Sequence, residues 1–239
     1  APFYKGVVHD KVTWKRSIFE GVVYAMKAAT DKPFKVSMLG PAQQSVILDD
    51  QHYGDGVELA FDIARALNKE LKFLVSQGLE AVQLIDVLPP YFQDGWQIEA
   101  QNIMFDGVDA MKFWHICYGS VDGQRDVFED KAAEMMPLFG QSPVDVIHME
   151  FTSKGLGELS AFAKFPTNKV FGMGVVDAKN VMVDSVDDIV ARIRRGLEFV
   201  PADRLLIAPD CGLGYFSRTV AYAKLRNMGQ AVEQVRASL

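Results

Sequence analysis

His115 and Cys117 stand two residues apart at the end of an apolar run, in Trp114-His115-Ile116-Cys117-Tyr118-Gly119. The chain holds four histidines and two cysteines in all, so this stretch gathers scarce chemistry in one place. In a β-strand, side chains at i and i+2 project to the same side. An imidazole and a thiol leaving one strand end together are half of a tetrahedral zinc site. Glu150 closes a second apolar run over 144–150, and Cys211 lies in Ile207-Ala208-Pro209-Asp210-Cys211-Gly212-Leu213-Gly214, whose two following glycines let the backbone turn tightly. One His, two Cys and one Glu make a four-ligand set for zinc, softer than a magnesium or calcium site. Each residue taken alone is more often ordinary, a buried Cys being a small hydrophobe and a lone His a core residue. Spacing by itself leaves both readings open.

Other residues could serve such a site. Asp86 ends the run Gln83-Leu84-Ile85-Asp86 and could equally cap a helix or brace a loop. His148, two before Glu150, would point the same way, as a supporting partner or a competing ligand. Lys179, in Asp177-Ala178-Lys179-Asn180, could meet an anionic substrate or be a solvated loop charge. His9, Asp49, Asp50 and His52 could approach on a mobile loop. Tyr91 and Trp96 could stack on a flat donor, although such aromatic residues more often pack loops.

The elements that must position these groups follow one rhythm. Apolar runs over 34–39, 81–86, 110–117, 144–150, 169–176 and 204–208 read as strands. Between them, helical patterns cover about 14–29, 55–77, 95–105, 125–138, 157–164, a stretch capped by Ser185 or Asp187, and 218–236. A polar loop is expected after Gly40-Pro41, and Gly54-Asp55-Gly56 is read as a helix lead-in, since it lacks the rest of a dinucleotide-binding fingerprint. Strands that are near-continuous Val/Ile/Leu runs suit a parallel sheet covered on both faces. Asp86, His115, Cys117, Glu150, Asp177 and Cys211 all sit at strand C-terminal ends, where a (β/α)₈ barrel builds its site. The expected fold is therefore α/β, a TIM-type (β/α)₈ barrel with about six β/α units recognisable and the first two missing. Residues 1–239 are expected to form one catalytic domain, 1–33 being a lead and helix and 34–239 the β/α units. An open sheet would expose its edges, so the absent strands are expected upstream or from a partner chain. The start at Ala1 without Met fits a processed or partial chain.

A formal charge of -6 argues against nucleic acid or an anionic membrane as partner. No apolar run approaches the roughly 20 residues that span a bilayer. Two distant cysteines form no disulfide framework, which fits a cytoplasmic location with both thiols free for metal.

The ordered set His-x-Cys, Glu and Pro-Asp-Cys-Gly resembles the zinc site of cobalamin-independent methionine synthase. Leu39-Gly40-Pro41, Gln83-Leu84-Ile85-Asp86, Gly174-Val175-Val176-Asp177 and Asn227-Met228 are similar too. The likeness runs from about residue 34 to the C-terminus and covers only the C-terminal catalytic barrel of that family. It implies Zn²⁺ held by His115, Cys117, Glu150 and Cys211, with the glutamate able to loosen as a thiol enters. It also implies a methyltransferase of methionine biosynthesis, in which homocysteine becomes a zinc thiolate and takes a methyl group from a methylated folate or corrinoid protein. Asp86 matches the aspartate that holds the homocysteine amino group. Val87-Leu88 follows it, however, where the family usually carries Glu-Pro. Lys179 stands where the classical enzymes have a histidine credited with proton donation. Shorter relatives also carry lysine there, which places this chain near the single-barrel branch, related to epoxyalkane:coenzyme M transferases. Alkyl transfer to another thiol, a structural zinc site and a truncated non-catalytic relative are the competing expectations.

Overall fold

Leu59, Ile63, Leu67, Leu71 and Leu74 recur at helical spacing and are all buried, so one long amphipathic helix anchors the first half of the chain. It runs Gly56–Ser76 and opens on Asp55, whose carboxylate accepts the N–H groups of Val57 (2.8 Å) and Glu58 (3.4 Å). The computed structural model describes residues 5–87, 94–119 and 132–239. They divide into two units, 5–87 and 94–115 with 141–145, and 116–119 and 132–140 with 146–239.

The first unit contains β1 (Val7–Val8), α1 (Glu20–Ala29), β2 (Lys35–Leu39), α2 (Pro41–Ile47), β3 (Asp49–Asp50), α3 (Gly56–Ser76), β4 (Ala81–Asp86), α4 (Trp96–Phe105) and most of β5 (Met111–Ile116). Its longer strands lie in the order β2-β4-β5, with β2 and β4 parallel and Leu39 opposite Ile85. The second unit holds most of α5 (Ala132–Gln141), then β6 (Val146–Met149), a 3₁₀ helix (Gly157–Lys164), β7 (Val170–Val176), α6 (Val186–Leu197), a 3₁₀ turn (Ala202–Arg204), β8 (Leu205–Pro209) and α7 (Arg218–Arg236). Its strands lie in the order β6-β7-β8, all parallel. In each unit every longer strand lies beside its predecessor, with no reversal of order. That is the winding of a barrel rather than of a doubly wound sheet. No helix among the described residues is long and apolar enough to cross a membrane.

All six expected strands are present. The helices differ in instructive places. The first begins at Glu20 rather than near Trp14, because the preceding polar groups are already engaged. Buried Glu70 accepts from Trp14 Nε1 (2.7 Å), Ser17 Oγ (2.8 Å) and the amides of Ile18 (3.0 Å) and Phe19 (3.1 Å), while Ser17 Oγ accepts the Glu20 amide (3.0 Å). The stretch after Gly40 opens as a helix instead of a loop. Pro41 supplies a preset φ at its first turn, and Gly40 stays on the sheet by donating to Ile85 O at 2.9 Å. The expected helix over 125–138 is described only from Ala132 and runs on to Gln141. The stretch 157–164 is 3₁₀ rather than α.

Gly40 is required by its neighbour. A Cβ there would lie 2.3 Å from Asp86 Oδ1. Gly40→Ala is therefore expected to cost about 2 kcal/mol or more of stability. Gly21, inside α1, gives the opposite sign, because a methyl group there would meet nothing within 4 Å. There Ala should stabilise by roughly 0.5–1 kcal/mol. Urea denaturation of both variants checks the pair of signs.

Candidate metal centre

His115 is the penultimate residue of β5 and Cys117 follows that strand directly. Glu150 comes one residue after β6, and Cys211 two residues after β8. The division between the units falls within β5, so His115 and Cys117 remain on one continuous strand end. A ring nitrogen of His115, the sulfurs of Cys117 and Cys211 and a carboxylate oxygen of Glu150 all lie within 4.8 Å of one another. His115 and Glu150 are buried and the two thiols partly exposed. Residues 115, 117, 150 and 211, scattered over nearly a hundred positions, thus come together in space.

Several contacts within the second unit hold this arrangement. Asp210, fully buried, accepts the amides of Phe151 (3.0 Å), Thr152 (3.0 Å) and Ser153 (2.8 Å). That carboxylate joins the residue before Cys211 to the loop after Glu150. Space for it depends on Gly174, where a Cβ would lie 2.4 Å from Asp210 Oδ1. A register irregularity between Gly174 and Val176 lets the Asp210 amide bond Val176 O at 2.9 Å, turning the end of β8 toward the donors. Phe151, Phe162 and Phe171 stack and cross at centroid distances of 4.1–5.6 Å, fixing the chain beyond Glu150. Beside Cys117, Tyr118 donates to Glu158 at 3.1 Å, with Lys154 3.6 Å above its ring.

The donors are electrostatically crowded. Burial first, and then the charge of Cys117, push Glu150 up to about 9, against the pull of Lys179. A hydrogen bond from Cys117 holds Cys211 down at about 7 and drives Cys117 itself upward. The two thiols share one ionisation between them. Lys179 Nζ lies 3.3 Å from Glu150 Oε1. Burial lowers the lysine's pKa, but the charges of Glu150, Cys117 and Cys211 outweigh it and raise it. The other carboxylate oxygen, Oε2, is buried and accepts no N–H or O–H bond among the described residues. A set with two sulfurs, one nitrogen and one unclaimed oxygen, which suppresses its own ionisation, fits a soft dication.

The remaining candidates take other places. His148 donates through Nε2 to Pro209 O at 3.0 Å, bracing the end of β8 and standing outside the ligand group. Asp50 accepts the amides of His52 (3.0 Å), Tyr53 (2.8 Å) and Gly54 (2.8 Å), closing its own loop. His9 and His52 are exposed, and neither they nor Asp49 joins the group. Asp177 Oδ1 accepts the Lys179 amide at 2.7 Å. Trp96 is half-buried as the first residue of α4, and Tyr91 lies outside the described residues. In the first unit Asp86 is 3% exposed, and its Oδ2 accepts from Trp114 Nε1 at 2.9 Å. Residues 83 and 85 share a face with 37 and 39 in the β2–β4 register, so Asp86 turns to the opposite face with Gly40. Asp210 lies inside the Pro-Asp-Cys-Gly motif, and its tie to residues 151–153 depends on contacts nearly sixty positions away that the motif does not show.

His, Cys and Glu side chains gathered at the C-terminal ends of singly wound parallel strands match the architecture of α/β-barrel proteins, which build their sites at that end. The chain belongs to the family described as cobalamin-independent synthase, catalytic domain, whose model matches residues 3–234. It is 31% identical to a 2-hydroxypropyl-CoM lyase of Xanthobacter autotrophicus, aligning 99% of this chain with 70% of that protein. It is 30% identical to a methionine synthase of Pyrococcus horikoshii, over 100% of this chain and 68% of the other. Among solved structures, a B12-independent methionine synthase from a Shewanella species in complex with selenomethionine superposes with a TM-score of 0.88 at 24% identity, over 97% of this chain and 70% of that one. The expected barrel-type fold is borne out. Membership places the chain in a family of methyl- or alkyl-transferring enzymes.

Burial pushes the Asp86 carboxyl up to about 7, against the hydrogen bonds of Trp114 and Gln43. A folded-state value above the unfolded one means that its stabilising, neutral form is complete below about pH 4 and is lost as pH rises through 7. Asp86→Asn does not ionise, so it should gain about 2 kcal/mol on wild type between pH 5 and pH 8. Denaturant melts at the two pH values measure this difference, and a pH-independent gap contradicts it.

Proposed function

We propose that this chain is a zinc-dependent thiol alkyltransferase whose acceptor is homocysteine and whose donor is a methylated folate. The observation that carries the reading is the convergence of His115, Cys117, Glu150 and Cys211 within 4.8 Å, with Lys179 on the glutamate. Those four residues would hold the ion, and two sulfurs with a nitrogen and an oxygen suit zinc. Bound there, zinc would deprotonate an incoming thiol and orient it as the nucleophile.

The chain's own groups have distinct parts in this reading. Glu150 is the one hard donor and is already shared with an ammonium through Oε1, so it is the ligand best placed to yield to an entering sulfur. Lys179 keeps its proton, because the surrounding negative charge raises its pKa, and acts as a fixed positive charge rather than as a proton source. In the transfer, the acceptor sulfur bonds the methyl carbon as the donor's C–N bond breaks. The electron pair stays on the donor nitrogen, which then takes a proton from water. Asp86 would receive the amino group of the acceptor through Oδ1, which accepts no hydrogen bond among the described residues, while Oδ2 stays with Trp114 Nε1.

A second reading has its own support. The 2-hydroxypropyl-CoM lyase relative, the valine at position 87 and the cationic Lys179 favour an acceptor thiol that bears a sulfonate and lacks an amino group. Epoxide opening by such a thiol would form a C–S bond and leave the electron pair on the ring oxygen, which takes a proton.

Purified protein should contain about one zinc per chain. Cys211→Ser should lose both metal and thiol alkylation while its circular dichroism and melting cooperativity remain those of a folded protein. Unfolding on metal loss would instead mark a structural site, and zinc-free protein never exposed to chelator would contradict the proposal. A thiol panel decides the acceptor: methylation of homocysteine supports the first reading, and turnover of coenzyme M with an epoxide the second.

A further inference from the structure

Lys224 is an unusual residue for the middle of α7. Its side chain has no solvent exposure, yet it carries an ammonium group that nothing in the chemistry above employs. Buried cations are kept only when paired and hydrogen-bonded. Here the partners lie on the loop after β7. Lys224 Nζ bonds Met182 O and lies 3.2 Å from Asp184 Oδ2. The other Asp184 oxygen pairs with Arg192 at 2.6 Å, and the Asp184 carbonyl accepts from Asn227 Nδ2 at 2.8 Å. Asp184 Oδ2 also accepts the amide of Asp177, at 3.2 Å. One carboxylate therefore closes the loop 177–184 on itself and fastens it to α6 and α7.

Side-chain packing does little to hold this loop. Val181 and Met182 are 66% and 71% exposed at its tip, and only small Ala178 is buried. Its place is set by polar contacts: those of Asp184 and Lys224, the Lys179 amide on Asp177 Oδ1 and the Met182 amide on Asn180 Oδ1 at 2.9 Å. The same loop delivers Lys179 to Glu150 Oε1.

We propose that Lys224, with Asp184, is a positioning residue: it fixes the loop that holds the Lys179 ammonium against Glu150, and so sets how firmly Glu150 grips its metal. The proposal rests on the zinc reading for its consequence but not for its geometry. Lys224 touches no reacting atom and acts through Lys179 alone.

The test compares wild type, Lys224→Met, Lys179→Met and the double variant as full-length protein. The first measurement needs no metal. Acetylation of Lys179, followed by peptide mass spectrometry, should speed up by about tenfold in Lys224→Met as the loop opens locally. Acetylation of Lys72, on a surface ion pair in the other unit, serves as reference and should not change. Unchanged Lys179 labelling in folded Lys224→Met overturns the proposal. If that variant does not fold, Asn227→Ala removes one loop contact more gently and must show the same direction of change; no change there overturns it equally. The second measurement follows zinc release to a chelator. Lys224→Met and Lys179→Met should alter the release rate by the same factor, and the double variant by no more than either. Additive effects would mean that Lys224 acts independently of Lys179, which contradicts the assignment. Failure of wild type to hold zinc would sink the functional reading, while the labelling result would still judge the clamp.

Discussion

One buried carboxylate accepting three backbone amides holds the candidate centre together. Asp210 stands directly before Cys211 and receives the N–H groups of Phe151, Thr152 and Ser153, directly after Glu150. A thiol from the last strand and a carboxylate from an earlier one are thereby held in register by one buried side chain and three main-chain amides. Charge-assisted bonds of this kind are among the stronger ones a fold can make. Leaving the buried Phe151 amide unsatisfied would be costly. Around this tie the structure makes room and stiffness: Gly174 vacates the space that a Cβ would fill, and the Phe151, Phe162 and Phe171 rings lock the far side.

The convergence of donors works against folding when considered alone. Two thiols, a carboxylate and an imidazole are packed where burial suppresses charge, which is why Glu150 rises to about 9 and the thiols share one ionisation. Lys179 offsets part of that cost at one oxygen of Glu150. A cation among the donors would offset the rest, and its affinity would be linked to the protons it displaces. The same logic separates the two carboxylates near strand ends. Glu150 has a charged partner and a free oxygen, whereas Asp86 has a Trp114 N–H and a glycine pressed against it.

Much of this was legible in the sequence, for identifiable reasons. The six longer strands were readable because parallel strands buried on both faces are continuous apolar runs, α3 because Leu59, Ile63, Leu67, Leu71 and Leu74 recur at helical spacing, and α6 because Ser185 precedes an apolar helical face. His115, Cys117, Glu150 and Cys211 stood out as a group because His and Cys are scarce in this chain and all four follow apolar runs, although spacing alone left a metal-free reading open and only the family resemblance joined them as candidate ligands. What stayed hidden depends on contacts far apart in sequence. Glu70 gathers the amides and side chains of 14–19, more than fifty residues away, and so delays α1. Short α2 has too few residues to show a period. Lys224 looks like any charge on an amphipathic helix until Asp184 and Met182 are seen beside it. His148 puts its Nε2 on the carbonyl of Pro209, a residue far along the chain that its place two before Glu150 does not announce.

Four protein donors holding a zinc ion that can accept a substrate sulfur would leave a spectroscopic signature. X-ray absorption at the zinc edge, on purified protein with and without homocysteine or coenzyme M, reads it most directly. Two sulfurs with one nitrogen and one oxygen are expected around zinc, with one sulfur gained and the light carboxylate scatterer lost when the acceptor thiol is added. A zinc shell that is unchanged by either thiol, or a protein that binds no zinc, would contradict the zinc reading.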